Sequence, residues 1–356
     1  MKLTGPVKIV GCGLIGTSIG LRLRENGIEL ALDDSFSANL RLARDLLGVS
    51  EDAENPRVIL IAVPPQDVLK VLKDQFAIHP DATFIEVGGI KSELIVQVEQ
   101  FSELAPQFIA VHPMAGREKS GPESARADLF ESRAWIISRT SKSSPEVVES
   151  ARLLGRLLGS TIYEMDGQSH DEAIATISHL PQILSTALGA SLLESDNESL
   201  NLAGQGLRDV SRLADSDSSL WGALLLGNRE HVLPKLDEVI NRLSKLRSDL
   251  DSSDLVAIQD FLIAGREGRA KIPGKHGGKN RDYSYVPIVI DDKPGGLANI
   301  FNECAAIGVN VEDLFMEHSP GQEVGLITLA LSESDAISLQ KHLVAKGWLA
   351  HAPRKQ

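Results

Sequence analysis

Val7-Lys-Ile-Val-Gly-Cys-Gly-Leu-Ile-Gly16 decides the architecture of the first part of the chain. A short apolar run with strand character enters a glycine-rich turn, and the turn opens a helix expected over Ile15–Asn26. In the spacing G-x-G-x-x-G the first glycine permits a tight turn and the second lets the backbone approach a pyrophosphate. The third lets helix and strand pack closely. The helix N-terminus adds unpaired N–H groups and a positive dipole end. The motif alone is weak, but a second strand, Leu30–Leu32, follows and ends at acidic residues, as a dinucleotide site requires. Asp34 sits at roughly the 20-residue spacing of the ribose-binding carboxylate, and Asp33 is the alternative one residue away. A carboxylate there repels a 2′-phosphate, so NAD is expected over NADP, with Arg41 and Arg44 as the opposing signal. The expected cofactor contacts are Gly11, Gly13, Leu14, Ile15, Gly16 and Asp34, with Val63 and Pro64 after the third strand. The alternative is a structural glycine turn without ligand. Cys12 reads as a packing residue rather than a reactive thiol.

Beyond that stretch, Val58–Val63, Thr83–Val87, Phe108–Val111 and Ala134–Ile137 continue the strand series. Helices near Asp67–Gln75 and Leu94–Leu104 complete the pattern of a parallel sheet with crossover helices. From about Asp166 the β-branched runs stop, and the chain reads as helices over His170–Leu193, Gly206–Leu213, Leu220–Ser248 and Ser253–Ala264. The stretch Lys271–Arg281 concentrates Gly, Pro and basic residues, which is linker composition, with a phosphate site as the alternative. After it the order Tyr285–Ile290 strand, Pro294–Ile307 helix, strands Val309–Glu317 and Val324–Leu331 around Ser319-Pro-Gly-Gln322, helix Glu333–Lys346 and strand Leu349–Ala352 is β-α-β-β-α-β. The expectation is a Rossmann-type α/β domain over 1–165, an all-α domain over 166–268, a linker over 269–282 and an α+β ferredoxin-like domain over 283–356.

The 356 residues give 42% hydrophobic and 24% charged positions, an ordinary globular composition. The longest apolar runs fall well short of the roughly 20 residues of a membrane span, and no secretory signal precedes the first strand. Two cysteines, Cys12 and Cys304, make neither a disulfide framework nor a metal set. A cytoplasmic protein with no metal site is expected. The formal net charge of −13 argues against non-specific nucleic-acid binding, so an anionic substrate needs a local Arg or Lys cluster.

The strand Phe108–Val111 ends in His112-Pro-Met-Ala-Gly116. Ligands of open parallel sheets sit beyond the carboxyl ends of strands, and a histidine there suits an alcohol's proton. The alternative is a core-edge histidine. Arg208 and Arg212, four apart on an expected helical turn, can face one anion, or else form an exposed pair with Asp209 and Asp215.

His112-Pro-Met-Ala-Gly-x-Glu-x-Ser-Gly121 with Leu129-Phe130, then Ser178-His179-Leu180-Pro181, then Gly206-Leu-Arg-Asp-Val-Ser-Arg212 and Trp221, resemble the prephenate/arogenate dehydrogenase family. Asp292-Lys-Pro-Gly-Gly-Leu-Ala298 with Gly308-Val-Asn310 resembles an ACT domain, an amino-acid-sensing module. The resemblance implies a homodimer joined through the helical domain and an NAD-dependent oxidative decarboxylation on the route to tyrosine. The substrate would be prephenate or, with an amino group in place of the keto group, arogenate. It implies that His112 takes the ring hydroxyl's proton and that Arg212 grips a substrate carboxylate. Arg208, Gln182, His179, Gly89, Ser120 and Gly121 complete the implied substrate site, with Glu118 and Asp209 in a charged network at its mouth. Arg208 and Asp209 would reach in from a partner subunit. An amino-acid effector, tyrosine or phenylalanine, would bind at Asp292, Pro294, Gly295 and Leu297, where a helix N-terminus exposes N–H groups.

Two positions depart from the family pattern. Gly89, in Glu86-Val-Gly-Gly-Ile-Lys91, stands where relatives carry a serine, for which Ser92 or a water would have to substitute. Gln182 stands where prephenate-preferring relatives often carry histidine. His170 falls opposite His179 on a regular helix and reads as structural, and Trp221 reads as core. A β-hydroxyacid dehydrogenase would need a helical-domain lysine that residues 170–215 lack. Gly89 also motivates a sensor whose dehydrogenase core has decayed, against which the intact His112 and Arg212 argue.

Overall fold

The computed structural model describes residues 5–116, 120–272, 283–291, 293–317 and 324–355. The turn Ser319-Pro-Gly-Gln322, Glu118, Asp292 and most of the expected linker lie outside these residues. The chain divides into two compact units, Met1–Ser248 and Asp249–Gln356.

The first unit is built on a seven-stranded sheet: β1 (Val7–Val10), β2 (Leu30–Asp33), β3 (Val58–Ile61), β4 (Thr83–Glu86), β5 (Phe108–Pro113), β6 (Ala134–Arg139) and β7 (Thr161–Glu164). Their spatial order is β2-β1-β3-β4-β5-β6-β7. The chain reverses direction across the sheet between β1 and β3, and such a switch point opens a crevice beyond the strands' carboxyl ends. Every residue of β3 is buried, as expected of a strand covered on both faces. Helices α1 (Leu14–Glu25), α2 (Ser37–Leu47), α3 (Val68–Ile78), α4 (Ser92–Glu99) and α5 (Pro145–Leu157) alternate with the strands. Helix α5 starts where its residues dictate, with Ser144 accepting the Val147 N–H and Pro145 in the first turn.

The expectation of an all-parallel sheet needs correction. β5 and β6 pair antiparallel. Among the described residues their connection holds a short 3₁₀ turn, Pro122–Ser124, and no crossover helix, so the chain returns beside the strand it left. Strand β7, parallel to β6, is a largely exposed edge with little apolar pattern to announce it.

Beyond β7 the first unit is helical: α6 (Gly167–Ile174), α7 (Leu180–Ser191), α8 (Asn197–Asn201), α9 (Gln205–Ser211), α10 (Ser218–Gly227) and α11 (Arg229–Asp251). The single helix expected over His170–Leu193 is interrupted by a π-helical turn, Ala175–His179, in which the Leu180 N–H reaches back to the Ala175 carbonyl. The helix expected from Leu220 to Ser248 breaks at Asn228, whose buried side chain bonds elsewhere.

The second unit holds α12 (Leu255–Ala270), then β8 (Ser284–Asp291), α13 (Gly296–Ala306), β9 (Asp313–Glu317), β10 (Val324–Leu331), α14 (Glu333–Ala345), β11 (Leu349–Ala350) and β12 (Arg354–Lys355). The strand order β11-β8-β10-β9, all antiparallel, is the ferredoxin-like arrangement, and β12 also pairs with β8. Alternate strand residues Val286, Ile288, Ile327 and Leu329 meet Ile300, Leu339 and Leu343 of the helices in one core. Among the described residues no helix is long and apolar enough to cross a membrane.

Candidate active site

The turn between β1 and α1 has the shape of a phosphate cradle. Gly11 has φ +100°, and a Cβ there would strike the Ala62 carbonyl beside Val63. A Cβ on Gly16 would strike the Gly11 carbonyl, whereas Gly13, the N-cap of α1, faces open space. Close packing on two glycines and room over the third is what a pyrophosphate needs. Asp34 Oδ2 accepts the Cys12 N–H at 2.7 Å and Oδ1 accepts the Phe36 N–H at 2.7 Å, so this carboxylate stands at the turn. Asp33, the alternative, instead pairs with Lys8 at 3.3 Å. Arg44 is held by Asp52 at 2.5 Å. Burial and the Asp34 charge push the Cys12 thiol up to about 12, so it stays protonated. Leu14 and Ile15 open α1, and Val63 and Pro64 follow β3, across from Gly11. These residues fit a dinucleotide with a free ribose 2′-hydroxyl.

Strand β5 carries His112 at its carboxyl end, and the loop after β4 brings Gly89 beside it. A Cβ on Gly89 would stand 3.9 Å from His112 Nε2 and 3.0 Å from Leu224 Cδ2. The loop is shaped by a buried ion pair: Lys91 Nζ lies 2.6 Å from Glu86 Oε2, with side-chain exposures of 0% and 2%. Glu86 also accepts the Gly88 N–H. Burial pushes the Glu86 carboxyl up and the Lys91 ammonium down, and each charge opposes the other's shift.

His112 Nδ1 lies 2.8 Å from His170 Nε2, and His170 Nδ1 lies 2.7 Å from Asp171 Oδ1. Asp171 also accepts the backbone N–H groups of Lys91 (3.0 Å) and Ser92 (2.8 Å), the entrance to α4. Burial holds both imidazoles below their ordinary pKa, His112 well below, where neighbouring His170 and the Lys91 charge add to the effect. Burial raises the Asp171 carboxyl, but hydrogen bonds from His170 and Ser92 outweigh it and keep it ionised. His170 is therefore no remote structural residue. The sequence signal was the His170-Asp171 pair upstream of Ser178-His179-Leu180-Pro181, passed over because a regular helix turns it away from His179.

The π-helical turn changes that geometry, adding about one residue to a turn between the two histidines. Asn228 Nδ2 reaches both the Asp171 carbonyl (2.8 Å) and His179 Nδ1 (3.1 Å). His179 lies edge-on to Trp221, ring centroids 5.8 Å apart, and burial lowers its pKa to about 4. Gln182 Nε2 donates to the Leu213 carbonyl at 2.7 Å, and its Oε1 accepts from Ser216 at 3.4 Å. Its amide thus ties α7 to the 3₁₀ turn Arg212–Asp215. The expectation that Arg208 and Arg212 share one helix is corrected here: α9 ends at Ser211, and Arg212 opens that tighter turn. Among the described residues Arg208 is exposed and reaches the Ala203 carbonyl at 3.5 Å, while Asp209 accepts from Gln205.

Ser120 and Gly121 lead into the Pro122–Ser124 turn, Gly121 with φ +90°. Arg126 N just beyond donates to Ser18 Oγ of α1 at 3.0 Å. In the second unit Gly295 (φ +91°) caps α13 after exposed Pro294, and Leu297 packs partly into the core.

Residues 19–164 match the family description "Prephenate dehydrogenase, nucleotide-binding domain", and residues 166–262 match "Prephenate dehydrogenase, dimerization domain". A probable prephenate dehydrogenase of Streptomyces niveus is 28% identical over 97% of this chain and 99% of its own. Among solved structures, Synechocystis arogenate dehydrogenase is 28% identical with a TM-score of 0.62, over 75% of this chain and 99% of its own. Prephenate dehydrogenase from A. aeolicus, in complex with hydroxyphenyl propionate and NAD+, is 25% identical with a TM-score of 0.65, over 75% of this chain and 98% of its own. With a nucleotide cradle, a strand-end histidine and both matched domains in succession, the chain belongs to the prephenate dehydrogenase family.

Proposed function

We propose that this chain is an NAD-dependent prephenate dehydrogenase, converting prephenate to 4-hydroxyphenylpyruvate on the route to tyrosine. The observation that carries the reading is His112. Its imidazole stands at a strand end beside the Gly89 loop, one nitrogen bonded to His170 and the other turned toward Gly89. Burial keeps it neutral at physiological pH, the state a general base needs.

Gly11, Gly13, Leu14, Ile15 and Gly16 would hold the cofactor phosphates, Asp34 the ribose hydroxyls, and Val63 and Pro64 would border the rest. NAD, when bound, supplies the hydride acceptor. The Arg44–Asp52 pair leaves Asp34 as the deciding charge and favours NAD over NADP. His112 Nε2 takes the ring hydroxyl's proton while the same carbon gives up hydride. The ring carboxylate then leaves as CO₂, its electron pair enters the ring, and aromatisation follows. Arg212 binds a substrate carboxylate through its planar fork, and Leu224 covers Gly89 and keeps water from the base. His179, Gln182, Ser120, Gly121 and a partner's Arg208 complete the substrate site in this reading.

The proposal divides the chain into 1–165, 166–268, a linker over 269–282 and an ACT domain over 283–356. It sets a homodimer in the cytoplasm, with tyrosine or phenylalanine bound at the Pro294–Leu297 turn. The second reading is arogenate, with an amino group in place of the keto group, and Gln182, whose amide hydrogens bond the Leu213 carbonyl and Thr186, does not decide between the two. Purified protein with NAD+ and either substrate, followed by NADH absorbance, decides between them. Turnover of neither overturns the proposal.

A further inference from the structure

The chain Asp171–His170–His112 can run in only one hydrogen-bonding direction. Asp171 is ionised and accepts from His170 Nδ1 and from the Lys91 and Ser92 N–H groups. A carboxylate cannot donate, so the shared proton sits on His170 Nδ1. His170 is buried and neutral, so its Nε2 carries a lone pair. Two lone pairs cannot face each other across 2.8 Å, so His112 Nδ1 holds the proton and donates it. His112 Nε2 is then left as the bare lone pair, turned toward Gly89.

We propose that His170 and Asp171 are positioning residues that hold His112 in the tautomer whose Nε2 can accept the substrate's proton. They also take up its charge after the transfer. When Nε2 is protonated, the Nδ1 proton moves along its hydrogen bond toward His170 Nε2, and the positive charge spreads toward the Asp171 carboxylate. No other oxidant or co-reactant is needed, and the proton returns by the same route. Asp171 has a second duty in the same position. By capping the entrance to α4 it fixes the base to the loop Val87–Lys91 that borders the reacting ring.

This inference rests on the proposed function for its kinetic test but not for its spectroscopic one. In wild-type protein at neutral pH, ¹⁵N-resolved histidine spectra are expected to show His112 protonated at Nδ1 and bare at Nε2. An Nε2-protonated His112 overturns the proposal whatever the enzyme turns over. In kinetics, Asp171→Asn is expected to lower kcat by about 10²–10⁴-fold, because an amide can donate to His170 and reverse the whole chain. KM for substrate and cofactor should stay within about threefold. His170→Gln, whose amide oxygen can still accept from His112, should retain at least about tenfold more kcat than His170→Phe, which offers no acceptor. Equal activity of the two His170 variants overturns the proposal, and this comparison stands even if Asp171→Asn fails to fold.

Discussion

His112 is a weak base because it is half-buried beside His170 and the Lys91 ammonium, and this sets its pH behaviour. Burial, His170 and Lys91 all lower its pKa from 6.5. A base must be unprotonated to work, so activity should persist as pH falls through 6.5 and be lost only at lower pH. A kcat/KM profile with its acid limb centred at or above 6.5 would contradict this. His112→Asn should remove that limb together with about 10²–10⁴-fold of kcat. Gly89 offers a second test on the same atom. Its φ is outside the left-handed region, and a Cβ would meet only Leu224 Cδ2 closely, at 3.0 Å. Gly89→Ser should therefore fold and place a hydroxyl within reach of His112 Nε2. One added hydrogen bond, at about 0.5–1.5 kcal/mol, corresponds to roughly a 2–12-fold gain in kcat/KM. A well-folded variant with lower activity would mean that Leu224 has been displaced into the pocket. His112 was legible in the sequence because its place at a strand end is a rule of open sheets. His170 was not, because its partner His112 lies on a strand 58 residues away and only the fold brings the two together.

A departure from α-helical phase shows how the elements set the site. The Ala175–His179 turn is π-helical next to Pro181, which has no N–H to offer the preceding turn. Counting residues at the α-helical period therefore misplaces His170 relative to His179. The same failure appears at Arg212, where α9 gives way to a 3₁₀ turn, and at β6, which pairs antiparallel with β5. The apolar period made most strands and helices α1, α3 and α4 legible but not α2, α5 or the exposed edge β7, and phase and direction came from hydrogen bonds that the period does not encode. Gln182 illustrates the consequence. Its amide bonds the Leu213 carbonyl and so anchors the turn that begins with Arg212. Gln182→Met keeps the shape but leaves that carbonyl without its donor, at about 1–3 kcal/mol of stability. Thermal melts should show the loss, and KM for the carboxylate substrate should rise while KM for NAD+ holds. An unchanged substrate KM would detach Gln182 from the positioning of Arg212.

At the level of the whole chain, two surfaces remain to be used. The helices after β7 expose Leu202, Val210, Leu220, Leu226, Leu233 and Ile240, more apolar surface than a solvated face usually carries. Their domain is the one matched as the family's dimerization domain, and light scattering at micromolar concentration should give a dimer. A monomer would leave this surface without its partner.

The last quarter of the chain makes the remaining test. The solved structures of A. aeolicus and Synechocystis match 75% of this chain while covering 98% and 99% of their own, so nearly all of each falls within three quarters of this chain. The tail has its own hydrophobic core and its own sheet. Its Pro294–Leu297 turn has Gly295 in the left-handed conformation at the entrance to α13, and the proposed amino-acid carboxylate would meet the N–H groups of that helix N-terminus. Regulation there demands that tyrosine or phenylalanine bind one global state better than another, and the coupling must be reciprocal between effector and substrate. Deleting residues 283–356 should accordingly abolish inhibition by the amino acid while NAD+ binding, read by fluorescence titration, stays within about threefold. Inhibition that survives the deletion unchanged would locate the amino acid at the active site, competing as a product analogue beside His112.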